Sequence, residues 1–178
     1  MAGVRSAAVS RHRETMTIEF RPPDVAAVAH SLAALREAGS GWINLLPGIH
    51  EDAVDPEPAA GLFAFFGNRA APVSMATVMP AKKERRDAEG VTIGVMHPTG
   101  AKAVARLAEA GVEVPAGWVV RQDHARRGLL VQTPADASDT DILTWSIRAG
   151  DALSRVDMTG QWRAVVYLPD GAQRRPSR

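Results

Sequence analysis

Cysteine is absent from the 178-residue chain, which excludes disulfides, a thiol nucleophile, zinc ribbons and cysteine-held iron–sulfur clusters. That suits a reducing cytoplasm, which is the expected compartment. Aromatic residues are few, and no apolar run approaches the roughly 20 residues that carry a helix across a bilayer. Neither a membrane span nor membrane binding is expected. An excess of one charge is missing too: 21 Lys and Arg stand against 20 Asp and Glu, so no global field draws the chain to nucleic acid or an anionic surface. Residues 1–13 lack the apolar stretch of a signal peptide, and with residues 171–178 they read as disordered tails.

What is present is ordinary globular patterning. The hydrophobic fraction of 46% is enough for a packed core, and the length suits one α+β domain over residues 14–170. Met16 to Phe20 alternates as a short strand before Arg21-Pro22-Pro23. From Asp24 to Ala38, Val25, Val28, Leu32 and Leu35 recur at helical spacing, and Gly39 is placed to stop the helix. Trp42 to Leu46 reads as a strand closed by Pro47. The stretch Gly48 to Ala71 has no sustained period. Val73 to Met79 and Val91 to Met96 read as strands joined by the charged run Lys82 to Asp87.

The second half is more regular. Thr99 to Ala110 reads as a helix, and Trp118 to Gln122 and Gly128 to Thr133 read as a hairpin tipped by Asp123 to Arg127. Ser138 with Asp141 resembles a capping box opening a helix through Leu153, and Trp162 to Leu168 is the last strand. From Val91 the order is therefore β-α-β-β-α-β, a ferredoxin-like unit elaborated by an N-terminal strand-helix-strand segment. Strand side chains alternate, so Trp118, Val120, Leu130, Val165 and Tyr167 cannot all point towards the helices together with their strand neighbours, and a second sheet face needs cover. The N-terminal elements are the expected cover, with a second copy of the chain as the alternative.

Four segments carry candidate chemistry. Gln122, Asp123, His124, Arg126 and Arg127 gather an acid, an imidazole and two guanidiniums at the hairpin tip, where an anion or an acidic partner could dock, or where the charges serve only solubility. His97, Thr99 and Lys102 lie where a strand enters a helix, a position that favours anions, although the spacing is not that of a phosphate loop and Thr99 could simply be a cap. Phe63, Phe65 and Phe66 concentrate aromatic surface in an irregular stretch, as a partner contact or a satellite of the core. His50, Glu51 and Asp52 are adjacent but lack metal-site spacing, so no metal is expected.

Other signatures are missing: HExxH, GxSxG and GxGxxG do not occur, no cofactor is implied, and no aromatic RNA-binding signature stands on a central strand. The segments Gly117 to Leu129, Thr159 to Ala164 and Trp42 to Leu45 together resemble a family of uncharacterised actinobacterial proteins. The resemblance implies a high-GC source and supplies no catalytic residue. The expectation is thus a non-enzymatic binding or interaction domain for a protein or a small anionic ligand, with homodimerisation open. Its competitor is a small-molecule enzyme or anion binder in which His97, Thr99 and Lys102 converge with His124 and Arg126.

Overall fold

The computed structural model describes residues 15–50, 73–85 and 89–169. The expected tails, the phenylalanines 63, 65 and 66, and the acids 51 and 52 lie outside the described residues. Those described form an α+β fold with β1 Thr15–Phe20, α1 Ala26–Ala38, β2 Trp42–Ile49, β3 Met75–Met79, β4 Thr92–Met96, α2 Ala103–Glu109, β5 Val119–His124, β6 Gly128–Gln132, α3 Asp139–Ala152 and β7 Met158–Tyr167.

The seven strands make one sheet in the order β1-β7-β2-β3-β4-β6-β5, and every adjacent pair is antiparallel. β7 lies between β1 and β2, and β6 lies between β4 and β5, so α1 and α2 each link two strands that straddle a third. The second half keeps its expected element order but does not close into a separate four-stranded sheet. The free edge of β4 is taken by β3, and β7 therefore enters beyond β2.

One face of the sheet is the core. Ile43, Leu45, Ala76, Val78, Ile93, Val95, Leu129, Val131, Ala164 and Val166 share it through the strand registers, and all are buried. Val28, Leu32 and Leu35 of α1, Leu107 of α2, and Ile142 and Leu143 of α3 complete the cluster. Each such side chain contributes about 1.5–3 kcal/mol on full burial. Because α1 packs with α3 on this side, and β1 and β2 lengthen the sheet, the N-terminal elements do not cover the second face as expected. Among the described residues no helix lies over that face, and none is long and apolar enough to cross a membrane.

Local chemistry explains the element ends. Gly39 stops α1 in the left-handed region at φ 64°, donating its N–H to Leu35 and Arg36 carbonyls, and the Ser138 hydroxyl accepts from Asp141 N to open α3. α2 begins at Ala103 rather than Thr99, since Gly100 and Lys102 both have positive φ and the Thr99 hydroxyl pairs with His97 instead of capping. β2 continues through Pro47 to Ile49 because a register irregularity against β7 accommodates the proline.

Candidate functional site

The expected hairpin tip is built from strand as much as from turn. Asp123 and His124 belong to β5, and His124 pairs with Gly128, which leaves Ala125, Arg126 and Arg127 to make the turn. Its polar groups are mostly engaged. The Asp123 carboxylate accepts from the backbone N–H of Ala103 at 3.0 Å and of Val104 at 3.1 Å, so an anion from this chain already occupies the start of α2. His124 Nδ1 accepts from Arg126 N and Arg127 N, and Gln122 Nε2 donates to the carbonyls of Arg127 and Gly128. These bonds stiffen the turn and leave the exposed Arg126 and Arg127 guanidiniums without a hydrogen-bond partner among the described residues.

His97 lies at the same end of the sheet but inside it, 8% exposed. Its Nδ1 is 3.0 Å from the Thr99 hydroxyl, and its Nε2 is buried without a hydrogen-bond partner among the described residues. Burial lowers its pKa below the ordinary histidine value, with Asp123 opposing and the Arg106 charge adding to the fall. Lys102 is exposed and marks the left-handed entry to α2. The structure thus gathers His97, Thr99, Lys102 and the tip at one end of the sheet, while Nδ1 of each histidine serves an internal contact and His97 Nε2 is buried. Among the described residues no group of three or more His, Asp or Glu side chains is arranged to hold a metal ion.

A concave site lies at the other end of the β5–β6 hairpin, between the α2–β5 loop, the β6–α3 loop and the first two turns of α3. It is a groove of about 560 Å³, lined among others by Glu113, Trp118, Asp136, Asp141, Trp145 and Arg148. That volume lies within the range of small-molecule sites. The indoles of Trp118 and Trp145 meet edge to face at 5.5 Å, and Trp145 Nε1 donates to the Glu113 carbonyl at 3.0 Å. Arg148 donates to the Gly111 carbonyl at 2.8 Å, tying α3 to the end of α2. The carboxylates of Glu113, Asp136 and Asp141 are exposed and form no ion pair or hydrogen bond among the described residues.

The far wall of this groove is held from α1. Arg36 donates through Nη2 to Ala135 O at 2.6 Å and through Nη1 to Ala137 O at 2.9 Å, and the same nitrogen pairs with Asp139 Oδ1 at 2.5 Å. Loop residues Asp136 and Ala137 are thereby fixed where they line the groove. Sequence patterning misses this site because its residues come from three separated segments, none with a motif. The only legible signal is the pair Trp118 and Trp145, which read as core or core-edge. Trp145 is indeed buried, and Trp118 is half-buried at the rim.

Comparison of the chain with protein-family models, with curated proteins and with solved structures finds no match.

Proposed function

We propose that the protein is a non-catalytic binding domain that takes a small organic cation, an ammonium or guanidinium on an apolar body, into the Trp118–Trp145 groove. The observation that carries this reading is the local excess of acid: three carboxylates and one guanidinium line the groove in a chain whose overall net charge is +1. Charge complementarity selects a cation, and the indole surface of Trp118 adds about 0.5–2 kcal/mol for a cation over its face. The carboxylates are not gathered as a metal site, which favours an extended organic cation. The hydrogen bonds that engage Asp123 and His124 within the fold support the non-catalytic side of the reading.

Tryptophan fluorescence offers a direct test, with spermidine, agmatine and the uncharged hexanediol as probes. Spermidine or agmatine should produce a saturable change that weakens with salt, and hexanediol should not. Combining Glu113→Gln with Asp136→Asn should weaken binding roughly tenfold, about 1.4 kcal/mol. Absence of a saturable signal at millimolar cation, or an affinity indifferent to the two substitutions, would reject the reading.

A second reading rests on the tip, where the Arg126 and Arg127 guanidiniums, free of hydrogen-bond partners among the described residues, project from a turn stiffened by Gln122 and His124 and suit an acidic partner. We further read β4-α2-β5-β6 as a ferredoxin-like portion of the sheet and place the protein in the cytoplasm, the latter on its lack of cysteine.

A further inference from the structure

The face of the sheet over which no helix lies among the described residues is rich in apolar side chains. Along β2, β3, β4, β6 and β7 it presents Leu46, Met75, Met79, Met96, Leu130 and Val165, alternating with the core residues of the same strands. Met96 is 43% exposed, and Val119 at the β5 edge is 45% exposed. The registers set Met75 opposite Met96, Thr77 opposite Gly94 and Gly94 opposite Leu130, so these side chains form one continuous surface. Asn44 and Thr77 satisfy each other within it through a 2.9 Å hydrogen bond.

We propose that this face packs against the same face of a second copy, giving a two-fold dimer. Charge distribution favours a self-complementary contact. In an isologous interface, residues near the axis meet their own counterparts, so an ionisable group there would oppose a like charge. On this face the central strands β3 and β4 carry Met75, Thr77, Met79, Thr92, Gly94 and Met96, none of them ionisable. Charged groups stand at the margins, where Glu19 pairs with Arg163 on one side and Arg121 is held by Gln132 on the other.

Area is sufficient as well. With strands about 4.8 Å apart and about 3.3 Å of rise per residue, seven strands of five residues cover roughly 29 by 17 Å. Two such faces, charged margins included, bury about 1,000 Å² in flat projection, the threshold for a specific interface, and upright side chains add to it. Methionine suits the role, since its unbranched thioether adapts to a facing copy of itself.

Sedimentation velocity of the full chain at micromolar concentration tests the proposal. The wild type should sediment as a dimer, and Met96→Glu should shift it to monomer with unchanged far-UV circular dichroism. Met96→Lys should do the same, and an equal mixture of the Glu and Lys variants should recover dimer, which a mere folding defect would not produce. Should Met96→Glu fail to fold, Leu130→Gln provides the second variant, with a dissociation constant expected to rise roughly tenfold, about 1.4 kcal/mol. A wild type that stays monomeric at the highest attainable concentration overturns the proposal. So does a dimer that none of these substitutions weakens. If the wild type is monomeric and Met96→Glu lowers its stability, the face is covered from within the chain and the proposal also falls.

Discussion

Replacing Arg36 by alanine should destabilise the protein by about 2–3 kcal/mol and slacken the groove at the same time. The guanidinium joins the end of α1 to the loop before α3 through two carbonyls and the Asp139 carboxylate. A hydrogen bond to a charged group contributes roughly 1.5–3 kcal/mol, but three on one side chain do not add. Arg36 and Asp139 retain 22% and 19% side-chain exposure, so water re-solvates part of what the substitution frees, and the sum is discounted accordingly. For a chain of this size that corresponds to a fall in Tm of about 5–10 °C. Urea unfolding followed by circular dichroism measures the loss, and the cycle with Asp139→Asn should show a coupling of about 1 kcal/mol. Arg36→Lys should recover less than half, since an ammonium cannot span both carbonyls and the carboxylate in the same plane. An Arg36→Ala protein within about 0.5 kcal/mol of wild type, the range of ordinary surface substitutions, would refute the claim that this side chain pins the loop.

Asp123→Ala should free the N–H groups of Ala103 and Val104, lowering stability by about 1 kcal/mol, the usual cost of a lost helix cap, and speeding hydrogen exchange at both amides. Unaltered exchange at those positions would show that the carboxylate does not cap α2. The buried His97 favours the neutral ring, so the folded state binds fewer protons than the unfolded chain at mildly acid pH. Stability from this group is therefore complete above the unfolded value of about 6.5, declines as pH falls below it, and levels off once the folded ring protonates. Unfolding midpoints between neutral and mildly acid pH should fall less steeply in His97→Gln, and equal slopes would remove His97 as the cause.

Strand and helix periodicity made most elements of the fold legible, because one face of each is buried. Val28, Leu32 and Leu35 mark α1, and Ile142, Trp145 and Ala149 mark α3. Lateral strand order was not legible. Nothing local in Trp162 to Tyr167 says that these residues enter between β1 and β2, since an apolar strand face fits many neighbours, and the pairing is decided by which edges earlier hairpins leave free. Residues that looked like ligand groups at the tip were consumed by the fold for a related reason. Asp and His beside backbone N–H groups are good caps, and Asp123 reaches α2 across 20 residues of sequence. The groove was hidden because Glu113, Asp136 and Arg148 are each unremarkable in their own segments and meet only in three dimensions.

The placement of β7 bears on how the protein is made. Among the described strands β1 has one neighbour, β7, with Glu19 bonded to Arg163 across 144 residues. A growing chain therefore carries Thr15–Phe20 as an unpaired segment until the last strand leaves the ribosome, while β2, β3 and β4 already have one another for hairpin partners. Synthesis proceeds at roughly 5–20 residues per second, so that segment waits on the order of ten seconds with its edges open. The arrival of β7 is the event that ends that interval and completes this edge of the sheet.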